Sequence, residues 1–295
     1  MKAVWSFWSK PYRAYYHRAW NSEVTHLLSW ALSVAEASRH YPMTCLYTDS
    51  AGAELLVDQL KLPFRRVDLA LDALDSEDDV EWWVLGKLSA YAAQTEPFVH
   101  LDSDVILWKP LPPDVTQAAV FAQNPERFDL DDQSLYRVDA FMRGIVEGQG
   151  WAPPQWTDYA ARRTNRAICC GILGGQDTAM LTHYAELAME VVRHPANRPI
   201  FPTLGVRDNI LVEQYFLAAY LDCHARHAPA GEAARVGFLF PSSNDAFDAR
   251  ESERVGYTHL IGDAKANPQI AARLADRVRR DHPQLYERCM AAAAG

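Results

Sequence analysis

Apolar and polar positions along the chain alternate between two periods, and their order predicts the fold. Residues 2 to 8 alternate apolar and small side chains and read as a first strand; Ser9-Lys10-Pro11-Tyr12 follows as a turn. Residues 22 to 39 carry Val24, Leu27, Leu28, Ala31, Leu32 and Ala35 at helical spacing, with Ser22 as the expected N-cap. Met43 to Tyr47 is a second strand, a helix runs to Leu60, and a third strand lies near Phe64 to Leu69. This β-α-β order predicts an α/β domain with a central, mostly parallel mixed sheet flanked by helices. A further helix is expected from Val80 to Gln94, with Trp82, Leu85 and Leu88 on its buried stripe. The acidic run Asp72, Asp75, Glu77, Asp78 and Asp79 sits at its positive end.

The pattern breaks at Phe98-Val99-His100-Leu101-Asp102-Ser103-Asp104-Val105-Ile106-Leu107. An apolar, β-branched run that reads as a buried strand is interrupted by two carboxylates two residues apart. Buried ionised acids need a partner or a metal. Two aspartates at i and i+2 of an extended chain face one side, so both can address one hard cation such as Mn²⁺ or Mg²⁺. Solvated acids at the end of an edge strand are the alternative. Asp129-Leu130-Asp131-Asp132 offers a second close set, but its polar, turn-rich surroundings favour solvation. Between about 122 and 166 the chain reads as irregular, with Trp151, Trp156 and Tyr159 open to sugar stacking or to packing down.

Composition narrows the picture. Nearly half of the 295 residues (49%) are apolar, enough for a substantial core, and the net charge of -9 argues against a nucleic-acid partner. Five cysteines without a CxxC pair imply neither a disulfide framework nor a zinc site, which fits a cytoplasmic setting. No run of about 18 apolar residues is present for a membrane span.

The segment Phe98 to Leu111 resembles the DxD strand of GT-A glycosyltransferases, particularly the family-8-like retaining enzymes. Tyr257-Thr258-His259-Leu260-Ile261-Gly262-Asp263-Ala264-Lys265 is similar to the carboxy-terminal H-x-x-G-x-x-K motif of the same family. The resemblance implies a GT-A domain over residues 1–266, with an acceptor-loop region about 122–166 and a basic helix and tail over 267–295. It implies a metal held by Asp102, Asp104 and His259, close backbone approach at Gly262, and Lys265 on the diphosphate. Lys87 takes the place of a basic residue that approaches the donor. The strand Ala167 to Gly175 is similar to the one that reads the donor sugar, although Cys169-Cys170 departs from the usual Asn and small residue.

Glu213 and Gln214 correspond to the family's acid-amide pair beneath the anomeric carbon. A carboxylate beside an amide in the apolar helix Ile210 to Leu221, expected to be capped by Arg207-Asp208-Asn209, otherwise requires a cavity or a paired arginine. Trp8, Lys10 and Tyr12, after the first strand, are candidates for base stacking and phosphate contact, or for packing the sheet edge. Asp49 is a candidate for the ribose or for a helix cap. The function expected is transfer of a hexose from a nucleotide-sugar, UDP-linked, to a glycan or lipid-linked acceptor with retention. Rivals are a nucleotide-sugar hydrolase or nucleotidyltransferase, and a non-catalytic nucleotide- or carbohydrate-binding protein. Arg273, Arg277, Arg279 and Arg280 on the last helix raise peripheral membrane contact as a further expectation.

Overall fold

The structure, a computed structural model, describes every residue except 15–18, 75–79, 132–134, 148, 201–207, 230 and 295. Asp75, Glu77, Asp78 and Asp79 of the acidic run, Asp132 of the second acidic set, and Arg207 lie outside the described residues. Along the chain run β1 (Lys2–Phe7), α1 (Ser9–Ala14), α2 (Glu23–Ala37), β2 (Thr44–Thr48), α3 (Ser50–Ala53), β3 (Arg66–Asp68), α4 (Val84–Ala92), β4 (Phe98–Leu101) and β5 (Val105–Leu107). Then come α5 (Pro113–Thr116), β6 (Val120–Arg127), α6 (Val138–Glu147), α7 (Pro154–Ala161), β7 (Arg166–Gly175), α8 (Thr178–Arg193) and α9 (Phe216–His227). The chain closes with β8 (Val236–Phe238), α10 (Ser243–Phe247), α11 (Ala249–Val255), β9 (Tyr257–His259), α12 (Pro268–Asp281) and α13 (Pro283–Ala292).

This is the mixed α/β class that the β-α-β order predicts. The chain divides into two compact units, one of residues 1–80, 98–111 and 249–295, the other of 81–97 and 112–248. In the first, strands run in the order β3-β2-β1-β4, all parallel, with Val4 opposite Cys45 on one side and His100 on the other. Val4 and Trp5 are fully buried, as continuous apolar runs in parallel sheets should be. Helix α2 buries most of its length, and α12 and α13 pack against it. Ser22 caps α2 by accepting from the Thr25 N–H at 3.1 Å, as expected. In the second unit β6 pairs antiparallel with β7 and parallel with β8.

Four local expectations change. Ser9–Tyr12 opens helix α1 rather than a turn: proline is tolerated in a first helical turn, and the Ser9 N–H is satisfied by Asp49 Oδ2 at 3.1 Å. The apolar run around the two aspartates is two strands, β4 and β5, with Asp102–Asp104 as the connection. The stretch 122–166 holds β6, α6 and α7, because Pro154 occupies the first position of α7, where no N–H is needed. There Trp156, fully buried, stacks between Phe141 and Phe216, and Tyr159 is buried, so these rings pack down. Finally, the amide of Asn209 anchors α4, accepting from the Val84 N–H at 3.0 Å and donating to the Glu81 carbonyl at 2.9 Å.

Gly175 ends β7 where a β-carbon would lie 2.0 Å from the Ala119 carbonyl oxygen. Backbone cannot yield as a flexible side chain does. Gly175→Ala is expected to cost about 1–3 kcal/mol, seen as a lower urea midpoint at unchanged slope; an unchanged midpoint would mean the strand end shifts freely.

Candidate metal and diphosphate centre in the first unit

Strand β5 pairs antiparallel with β9 in the register Val105↔His259, Ile106↔Thr258, Leu107↔Tyr257. Asp104 immediately precedes β5, so this register alone brings it beside His259, and the Leu260 N–H locks the pair by donating to the Asp104 carbonyl at 2.9 Å. The Trp108 indole adds a bond to Thr258 Oγ1 at 3.0 Å. Asp102, Asp104 and His259 each present one ligand atom, and all three atoms lie within 4.8 Å of one another. Asp104 is buried, 3% exposed, and its Oδ2 meets Lys265 Nζ at 2.7 Å and His259 Nε2 at 3.5 Å. Burial by itself pushes the Asp104 carboxyl up; Lys265 and His259 outweigh it and hold the group well below the ordinary carboxylate range.

The connection bearing the two aspartates is fixed from beneath by α2. Ser29 donates to the Ser103 carbonyl at 2.8 Å, and Ser33, one helical turn on, donates to the Asp102 carbonyl at 3.4 Å while accepting from the Trp5 indole at 3.1 Å. Sequence reasoning passed over these serines. Their signal was present: two hydroxyls at i and i+4 on an otherwise apolar helix face, both fully buried. His100, also unremarked as a site residue, lies on β4 with Nε2 2.9 Å from Ser6 Oγ and Nδ1 3.8 Å from Asp102 Oδ1. Gly262 has φ +55° with nothing within 4 Å of where a β-carbon would be, so glycine answers the turn's backbone and leaves its face open. The Lys265 ammonium also stands 5.6 Å from the centre of the Trp20 ring.

The amino-terminal candidates are built into the same unit in other ways. Trp8 and Tyr12 are 5% and 6% exposed; Tyr12 packs on Phe7 and His26 and donates to Glu23 Oε1 at 2.9 Å. Burial, reinforced by Glu23, pushes its phenol upward. Lys10 is exposed and donates to the Leu74 carbonyl at 3.1 Å. Asp49 caps the helix that follows, accepting from the Gly52 N–H at 2.8 Å, while its other oxygen receives Ser9 Oγ at 2.6 Å.

Lys87, Glu213 and Gln214 belong to the second unit. Glu213 is fully buried, and Oε1 receives Lys87 Nζ at 2.6 Å and Tyr91 Oη at 2.9 Å. Its partner is thus a lysine, not an arginine. It sits in a π-helical stretch, Leu211–Tyr215, ahead of α9, a wider turn found often at functional sites. Gln214 is half-buried and meets Tyr136 Oη, which also bonds Glu126. The second acidic set is a surface turn: Asp129 Oδ1 accepts from the Asp131 N–H at 2.9 Å, and both residues are exposed. On α12, Leu274 and Val278 are buried, Arg279 and Arg280 pair with Asp276 and Asp281, and Arg277 stands over Trp108 at 4.3 Å. No helix among the described residues is long and apolar enough to cross a membrane.

A family model described as a family of unknown function (DUF6734) matches residues 1–292. No curated protein matches the chain. Among solved structures the chain is similar to the galactosyltransferase LgtC in complex with donor and acceptor sugar analogues, at 15% identity over 100% of this chain and 95% of that one, with a TM-score of 0.38. It is also similar to mouse xyloside xylosyltransferase 1 in its apo form, at 13% identity over 72% of this chain and 81% of that one, with a TM-score of 0.33.

His26, fully enclosed near this centre, carries a pH consequence. Burial, then the Lys265 charge, pushes its imidazole down to about 3, and the Trp30 indole donates to its Nε2 at 3.1 Å. The folded ring stays neutral while the unfolded one protonates below about 6.5. Its contribution is therefore complete above pH 6.5 and is lost as pH falls towards about 3. Between pH 6.5 and 5 the wild type is expected to lose about 2 kcal/mol more than His26→Gln in urea unfolding; equal losses would show that the ring titrates normally in the fold.

Proposed function

The chain belongs to the DUF6734 family, and we propose that it is a metal-dependent glycosyltransferase moving a hexose from a UDP-sugar to a glycan or lipid-linked acceptor, with retention. The observation that carries this reading is the β5–β9 register. It brings the two motifs of the resemblance, far apart in the chain, onto one buried carboxylate.

The donor set fits Mn²⁺ or Mg²⁺. Two carboxylates and an imidazole within 4.8 Å offer the oxygen-rich ligands that a hard divalent ion takes, and leave positions for a diphosphate. Bound there, the ion would supply neutralisation of negative charge on the leaving diphosphate. Lys265 is the residue that meets phosphate oxygens, since its ammonium already stands on the same carboxylate. Gly262 gives the phosphates access to backbone through its open face. Trp8, Lys10, Tyr12 and Asp49 shape the base and ribose end of the donor site mainly through packing and capping, with Lys10 the most accessible of them.

In the second unit, Lys87 and Gln214 are the groups assigned to the donor sugar, Gln214 stabilising positive charge at the anomeric carbon. Glu213 acts through its neighbours: a fully buried carboxylate neutralised by Lys87 holds that ammonium in place. Tyr136 has a single phenolic proton. If it donates to Glu126, the Gln214 amide donates to Tyr136 and turns its carbonyl oxygen away, which leaves that oxygen free for the sugar.

Calorimetric titration with UDP, with and without Mn²⁺, tests the reading. UDP binding is expected only with the metal. Asp104→Asn is expected to lose about 2 kcal/mol or more, some thirtyfold in affinity, while Asp131→Asn binds as the wild type. Metal-independent binding, or a loss at Asp131 in place of Asp104, would overturn it.

A further inference from the structure

Beside β6 the second unit holds a cavity of about 360 Å³, lined by Pro125, Glu126, Arg127, Arg166, Pro241, Ser242, Ser243 and Asn244. Its walls follow from the sheet. After β8 the chain keeps to β6, with the Leu239 and Phe240 N–H groups donating to the carbonyls of Ala122 and Gln123. Ser243 Oγ then bonds the Pro125 carbonyl at 3.3 Å, which sets Pro241 to Asn244 alongside the end of the strand.

On the opposite side β7 brings Arg166 directly across from Arg127. The next residues outward, Phe128 and Asn165, share a ladder hydrogen bond of 3.2 Å, so the two arginines form the non-hydrogen-bonded pair, where side chains stand closest. Like charges at such a position repel. Neither guanidinium has a hydrogen bond or a carboxylate partner among the described residues, in a chain with 38 acidic residues to supply one. The one acid in the lining, Glu126, is bonded by Tyr136. Ser242 is committed to the N-cap of α10, whereas Asn244 is exposed. The cavity thus presents two exposed arginines at facing strand positions, without a partner among the described residues, and an amide, in surroundings otherwise made of proline, serine and the Tyr136-bonded Glu126.

We infer that this cavity binds the acid group of a sugar acid or sugar phosphate, with Arg127 and Arg166 holding the carboxylate or phosphate oxygens. A planar guanidinium suits both groups, and the anion removes the repulsion that the bare pair carries. This inference goes beyond the transfer reading and does not rest on it. The test uses neither nucleotide nor metal, so the failure of either reading is distinguishable from the failure of the other.

The full chain is titrated calorimetrically at low ionic strength with glucuronate, glucose 6-phosphate and glucose. One or both charged sugars are expected to bind and to weaken as salt is raised, and glucose is expected not to bind; the better of the two names the acid group. Arg166→Glu places a carboxylate opposite Arg127. It is expected to raise the unfolding temperature and to weaken binding at least tenfold, and Arg127→Gln to weaken it comparably without loss of fold. Equal binding of glucose, no binding of either charged sugar, or affinities within twofold of wild type in both variants would overturn the assignment.

Discussion

The first unit depends on one buried charge. Asp104, 3% exposed, is a carboxylate that water barely reaches, and it is kept ionised only because Lys265 and His259 stand on the same oxygen. His259 ends β9 and Lys265 follows it, so the charge balance requires the β5–β9 register. That register in turn rests on the Leu260 bond to the Asp104 carbonyl, on the two α2 serines that hold the carbonyls of Asp102 and Ser103, and on a left-handed turn at Gly262. Asn267 then caps α12 and Pro268 opens it, carrying the chain back onto α2.

The second unit meets the same constraint in the same way. Glu213 is fully buried and is compensated by Lys87 and Tyr91 from α4, with the Tyr184 phenol on its backbone carbonyl at 2.6 Å. Asn209, close before Glu213 in sequence, pins the start of α4, the helix that carries Lys87. Asp104 and Glu213 are thus each answered by a lysine from their own unit. Arg127 and Arg166 differ from these acids in facing a like charge across β6 and β7, with no carboxylate partner among the described residues.

Much of this was readable from residue order, and the reasons differ from place to place. The β-α-β alternation and the Ser22 cap depend on local periodicity and on one side chain's reach to its own helix, and they hold. The candidate metal residues were readable because acids inside a β-branched run conflict with burial. Asp49 remained open between ribose and cap, since both uses need only an acid after a strand; the bond to Gly52 needed coordinates. Ser9–Tyr12 misled because Pro11 signals a break, yet the first turn of a helix has no use for its missing N–H. Trp151, Trp156 and Tyr159 could not be placed at all from composition, since an aromatic ring suits a sugar and a core equally well.

The sequence by itself determined the α/β class, the approximate strands and helices, and the few acids whose chemistry conflicts with an apolar setting, Asp102, Asp104 and Glu213; the His259-to-Lys265 motif was legible only through its resemblance to a family pattern. Each is set by neighbours within a few positions, where spacing carries the information. Tertiary structure alone decided which positive charge answers which buried acid, that Ser29 and Ser33 hold the turn of Asp102 and Ser103, and that Arg127 lies across from Arg166. These are pairings between distant segments: strand register fixes Asp104 beside His259 and Arg127 across from Arg166, where a one-residue slip would undo both without changing the local pattern, and helix packing fixes Lys87 on Glu213 and the α2 serines on their turn.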